Sequence, residues 1–164
     1  MQRSRHILIK TDAIVKETQR LLVSQGNAPT CGHNSCVMVL DTLGKKVDVN
    51  ELIKQIPPSD SGIFYKDVSR LLTSNGVENL ALSGRTISDI ERYTNKGTPI
   101  IVRISNGKIG EDAFSHFVVV DGITEKAGQK VVVIRDPHNV SYYTPIASFK
   151  KYFTGDTVIP RNYK

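Results

Sequence analysis

The chain changes texture once, at Thr98-Pro99, and that change limits the folds open to it. Before it, apolar residues recur at helical spacing between capping and stop signals. Cys36, Val37, Val39, Leu40 and Leu43 stand three and four apart up to Gly44, which predicts a buried helix opening at Cys31. Asp48 with Glu51 reads as a capping box for a helix over 51–56 that Pro57-Pro58 ends. Further helices are expected over 66–75 and 87–95, closed by Gly76 and Gly97. Thr11-Asp12 reads as the cap of one more helix carrying Ile14, Val15, Leu21 and Leu22, followed by a loop from Ser24 to Thr30. After Pro99, β-branched and aromatic runs between turn residues predict strands over 100–104, 116–120, 131–134, 141–144 and 157–159, with a short helix over 149–153. Helices segregated ahead of an antiparallel sheet spell an α+β fold.

Composition narrows the class. A chain of 164 residues, 39% of them hydrophobic, is expected to close one core as a single domain over 1–164 without covalent staples. Two cysteines and four histidines exclude a disulfide scaffold or a zinc array. No apolar run approaches the roughly 18 residues of a membrane span, and Ile7-Leu8-Ile9 is too short for the apolar part of a signal peptide. The net charge of +6 gathers at the two ends, +3 within residues 1–24 and +3 within 149–164. No Lys/Arg run interleaves with aromatics, so neither nucleic acid nor a membrane is the expected partner; the basic bias favours acidic ones.

Chemistry converges on Cys31. It follows a Pro-containing loop and opens an apolar helix, where unpaired N–H groups and the helix dipole favour thiolate, the reactive form. Cys36, on the same apolar face, reads as a small buried hydrophobe. Residues 116–123 and 129–136 read as a hairpin with a turn over 124–128. With that turn centred on Lys126, His116 falls directly across from Asp136 on one face. A carboxylate there would fix the imidazole tautomer and stabilise its cation. The same residues also read as a capped histidine and an Asp-Pro turn that ends a strand. Gln25, six residues before Cys31, could donate to an oxyanion beside the Cys31 N–H, or be a surface residue.

With Gln25, Cys31-Gly32, Ser115-His116-Phe117 and Arg135-Asp136-Pro137 in that order and spacing, the chain resembles papain-like cysteine peptidases. Within that superfamily it looks most like bacteriocin-processing peptidases that cut after paired glycines, and like papain-fold domains of bacterial polymorphic toxins. The resemblance is strongest over 20–155. It implies a papain-like fold with N-terminal helices, the nucleophile at the start of a central helix, and a C-terminal antiparallel sheet. By position, Cys31 would be nucleophile, His116 general base and acid, Asp136 the orienting residue and Gln25 the oxyanion donor, with no cofactor. Two departures stand out: no aromatic follows the nucleophile, and the second cysteine comes one residue later than in many processing peptidases. Since no transporter segments follow, the toxin comparison is favoured. It implies delivery by a specialised system, action on a protein substrate in the cytoplasm of a target bacterium, and a cognate immunity protein as inhibitor.

Phe64, Tyr65, Phe114 and Phe117 are expected to wall a narrow substrate cleft, or to be core. A metal site from Cys31, His33, Cys36 and His116 is disfavoured by spacing, since Cys-x4-Cys lacks a second close pair. His33 and His138 are read as surface residues or supports behind the site. The same triad could also serve glutamine deamidation or transglutamination, because a thioester can be resolved by water, an amine or a thiol. A catalytically silent protein-binding module is the remaining alternative.

Overall fold

The structure, a computed structural model, describes residues 13–16, 18–108 and 113–161. Its elements run β1 (Ile14–Lys16), α1 (Cys31–Thr42), α2 (Val49–Gln55), α3 (Tyr65–Ser74), β2 (Asn79–Leu82) and α4 (Ile87–Thr94). They continue with β3 (Ile100–Ser105), β4 (Ser115–Lys126), β5 (Gln129–Asp136), β6 (Val140–Pro145), α5 (Ile146–Lys150) and β7 (Phe153–Pro160). All strands join one antiparallel sheet in the order β1-β6-β5-β4-β3-β7-β2. The fold is α+β and papain-like.

Strand alternation gives the sheet two buried faces. Ile101, Phe117, Val119 and Val158 pack under α1 and α3 with Val39, Leu40, Leu71 and Leu72. Ile100, Val102, Ile104, Val118, Val120 and Ile134 pack on the other side with Ile90 of α4 and Phe149 of α5. Helices therefore cover both faces of the sheet. Helix α1 is buried along Gly32–Leu40, polar His33, Asn34 and Ser35 included, and its apolar run is Cys36–Leu40.

Three elements differ from the sequence reading, the first being the short helix expected over 149–153, which runs Ile146–Lys150 while Phe153 opens β7. No helix forms over 13–30 among the described residues; Thr11-Asp12 lies outside them, and Ile14–Lys16 is a strand paired with Ser141–Tyr143 of β6. The β-branched Ile14 and Val15 suit an edge strand better than a loosely periodic helix. Strand β2, too short and mixed to stand out in the sequence, is added beside β7 through Leu80↔Ile159 and Ala81↔Val158.

The expected register of the β4–β5 hairpin is also corrected. The turn is the two-residue Ala127-Gly128, with φ +51° and +79°, and Lys126 pairs with Gln129. Both residues are left-handed, the conformation that suits the twist of a two-residue hairpin. Continued unbroken, that register would bring Asp136 level with Val119, on the face opposite His116. Instead the ladder slips by one residue between Gly122↔Val133 and Val120↔Ile134, at a bulge on Asp121. Beyond it Val119 pairs with Arg135, so Asp136 comes level with Val118 and shares the face of His116. The two are diagonal neighbours rather than directly opposed.

The bulge is anchored by charge. Fully buried Arg135 donates from Nε to Asp121 Oδ2 at 2.8 Å and from a terminal nitrogen to Oδ1 at 2.9 Å. It also donates to the Leu21 carbonyl, the Met38 carbonyl and the Thr42 hydroxyl. Arg20 adds a second cation on Asp121 at 2.8 Å. One guanidinium thus ties the bulge to α1 and to the chain leading toward Gln25.

Candidate active site

Helix α1 starts at the residue of interest. The Thr30 carbonyl accepts the Asn34 N–H at 2.8 Å, which leaves Cys31 as the first helical residue. No acidic side chain occupies the first turn, so the positive end of the helix dipole is uncompensated beside the sulfur. The preceding loop is held by the Gln25 N–H on the Pro137 carbonyl at 2.8 Å, joining the approach to α1 with the end of β5.

The sheet brings the other groups. The Phe117 N–H donates to Cys31 Sγ at 3.5 Å, and the His116 imidazole is hydrogen-bonded to the same sulfur. On its far side His116 Nε2 lies 2.7 Å from Asp136 Oδ1, both residues being buried. Asp136 is itself well held. Its Oδ1 accepts the His138 N–H at 2.9 Å, a local Asx turn, and its Oδ2 accepts the Tyr142 hydroxyl at 3.0 Å. The His138 ring lies flat on His116, centroids 4.2 Å apart and planes 8° from parallel.

Electrostatics follow from these contacts. Burial pushes the Cys31 thiol up, but the hydrogen bond and charge of His116, with the Phe117 N–H, outweigh it and leave the thiol below its ordinary value. Burial likewise opposes the His116 cation, yet Asp136 and the Cys31 sulfur raise its pKa to about 10. Asp136, disfavoured by burial as an anion, is nonetheless held below the usual carboxylate range by His116 and His138. These contacts therefore favour thiolate beside imidazolium, with an ionised Asp136 behind them. Cys36 is the opposite case: burial alone pushes its thiol well up, and its Sγ faces the Val68 carbonyl at 3.6 Å.

Cys31 and His116 open into a cavity of about 380 Å³, flanked by the loops 25–29 and 60–62. Gly26, Ala28, Gly62 and Ala113 keep its walls low. Gln25 lines it too, with its amide nitrogen donating to the Ala28 carbonyl at 2.8 Å. An amide carries two hydrogens, so that bond leaves one for another acceptor.

The four aromatics expected to wall a cleft separate. Phe114 lines the cavity. Phe117, next to His116 on the strand, points to the opposite face and enters the core under α1, contributing only its N–H to the site. Tyr65 packs against the same core, and Phe64, at the N-cap of α3, is 79% exposed and outside the cavity lining. Of the residues weighed as a metal quartet, His33 Nε2 bonds the Ile56 carbonyl at 2.7 Å and Cys36 is core, so neither reaches Cys31 and His116. His116, Asp136 and His138 do place ligand atoms within 4.8 Å. Their near-parallel rings, however, aim the two nitrogen lone pairs along separate planes rather than at one point.

The sequence reading missed the contribution of Tyr142 and left His138 open between a surface residue and a support. The Asp-Pro-His order carried a signal for the second, because an Asx turn returns residue i+2 to the aspartate.

A profile of the Peptidase C39 family matches residues 19–163. No curated protein matches the chain in sequence. Among solved structures, a double-glycine-motif protease from an AMS/PCAT transporter, in complex with its leader peptide, is similar at 25% identity. The match covers 87% of this chain and 91% of that one, with a TM-score of 0.69. The peptidase domain of Streptococcus ComA, a bifunctional ABC transporter, is 19% identical over 85% of this chain and 96% of that one, TM-score 0.68. Digestive procathepsin L2 of Tenebrio molitor shares the fold at 13% identity, over 89% of this chain and 64% of that one, TM-score 0.64. The chain belongs to the Peptidase C39 family of cysteine peptidases.

Proposed function

We propose that this chain is a cysteine endopeptidase that cleaves a protein substrate after paired glycines through a Cys31 thioester. The observation that carries the reading is the continuous contact from sulfur to imidazole to carboxylate, with the Phe117 N–H on the sulfur. Cys31 thiolate attacks the scissile carbonyl. The developing oxyanion takes the backbone N–H of Cys31 and the remaining hydrogen of the Gln25 amide. His116, already protonated, gives its proton to the leaving amine and then takes one from the water that resolves the thioester. Asp136 holds the imidazole orientation and stabilises its cation.

Glycine preference is supported by the low walls at Gly26, Ala28, Gly62 and Ala113, which leave the chain on either side of the scissile bond close to backbone. The similarity to a double-glycine-motif protease over most of both chains supports it further. The test is a peptide series ending in Gly-Gly, Ala-Gly or Gly-Ala before the scissile bond, with products read by mass spectrometry. New termini after Gly-Gly, absent with Cys31→Ala, are expected. A 1 Da change at glutamine or a crosslink without cleavage would replace hydrolysis by deamidation or transglutamination. A role as a delivered toxin with an immunity partner draws support from the sequence resemblance only. Growth arrest of a bacterial host by the wild-type chain but not by Cys31→Ala is its test.

A further inference from the structure

We infer that His138 is a positioning residue of this site, its ring stacked on His116 so as to hold the catalytic imidazole in the one plane that serves Cys31 and Asp136 together. The inference rests on the reading of the site just given. Hydrogen bonds alone leave the His116 ring incompletely fixed. Asp136 grips Nε2 and the sulfur engages the ring's other side, so both bonds lie near one axis across the ring. Tilt about that axis lengthens neither contact much, yet it turns both ring N–H groups out of line. A flat neighbour at 4.2 Å and 8° opposes that tilt directly. Phe114, at 6.0 Å and 43°, offers no parallel face.

His138 is itself locked in place. Its N–H bonds Asp136 Oδ1 at 2.9 Å, its Nδ1 lies 3.4 Å from the same oxygen, and its side chain is 10% exposed. The carboxylate that orients His116 from its edge therefore also fixes the ring that presses on its face. The titratable groups around His138 are Asp136, His116 and Cys31, with Asp60 on the same cavity and the Tyr142 hydroxyl on the far oxygen of Asp136.

The experiment compares wild type, His138→Ala and His138→Phe, the last keeping a flat ring without its nitrogens. Two readouts are taken: the pH profile of Cys31 alkylation by iodoacetamide, and kcat and KM on a Gly-Gly peptide. His138→Ala is expected to move the alkylation profile about one pH unit toward alkaline and to lower kcat about tenfold, with KM within about twofold. His138→Phe is expected to restore both. Should the alanine chain fail to fold, His138→Asn, which fills the site without a ring, takes its place. An unchanged profile and kcat in the ringless variant would overturn the inference. So would a phenylalanine variant as impaired as alanine, which would assign the effect to the nitrogen. Wild-type Cys31 alkylating as an ordinary thiol would instead overturn the reading of the site, and this inference with it.

Discussion

Replacing Arg135 with methionine tests what holds the β4–β5 bulge in place. The guanidinium is fully buried, makes two bonds to Asp121 and ties down two backbone carbonyls and the Thr42 hydroxyl. Removing one partner of a buried ion pair costs about 3–5 kcal/mol, since the other charge stays behind. Here Arg20 remains on Asp121 at 2.8 Å, which places the expected loss near the lower end, about 3 kcal/mol. For a domain of this size each kcal/mol lowers Tm by about 2–4 °C, so a fall of about 6–12 °C is expected. Urea unfolding should show the midpoint falling with an unchanged slope. The decisive comparison is Asp121→Leu with Arg135→Met. Removing both charges together should cost less than the sum of the two single changes by at least about 1 kcal/mol. A loss below about 1 kcal/mol for Arg135→Met, or strict additivity in the pair, would refute the account of the bulge.

Cys31→Ala and His116→Ala should each lower kcat/KM by several orders of magnitude, and Asp136→Asn by about a hundredfold or more, in single-turnover peptide cleavage. Iodoacetamide near pH 6 should label Cys31 and spare Cys36, whose thiol burial pushes up; peptide mapping reads the site, and preferential labelling of Cys36 would reverse the assignment. Stability should fall on both sides of neutrality. Asp136 is depressed in the fold, so its contribution is present above its unfolded value and lost as acid titrates it; the raised His116 contributes below its unfolded value and loses this as pH rises through about 10. Thermal unfolding against pH checks this, and Asp136→Asn should flatten the acid side. Gly32→Ala should destabilise by about 1–3 kcal/mol, since a Cβ there would stand 2.9 Å from Ile63 Cγ1 and 3.1 Å from Val68 Cγ2; an unchanged urea midpoint would show that both side chains yield freely.

The parts that were legible in the sequence are those where one local signal met no competitor. Helix α1 carries a dense apolar set, Cys36 to Leu40 with Leu43, ahead of Gly44, and it forms from Cys31 as read. The strands after Pro99 are dense in Val and Ile, and all of them pair. Where two signals compete, the sequence misleads. Ile14 and Val15 fit a weak helical period and a strand equally, and the open edge of β6 decides between them. Asp48 caps α2 through the Asn50 N–H, and the helix begins at Val49, two residues before the expected Glu51. The His116–Asp136 contact was legible as a pair, but not its construction. Turn position and bulge each shift the register, and the bulge depends on Arg135 and Arg20, charges far apart in the chain. Phe117 as core and His138 as a stacking partner likewise follow only once the face of each residue is known.

The bulge at Asp121 gives the site an arithmetic condition. Were the bulge to flatten with Asp121 taken into the ladder, the two strands would zip in the turn's own register, with every backbone pair still made and the sheet intact. The imidazole and the carboxylate would then stand on opposite sides of the sheet, each chemically unaltered and neither able to serve the other. Catalytic competence here is thus a matter of odd and even: the register of two strands decides it, and a frame of this kind can keep its architecture while losing its chemistry to a slip of one step.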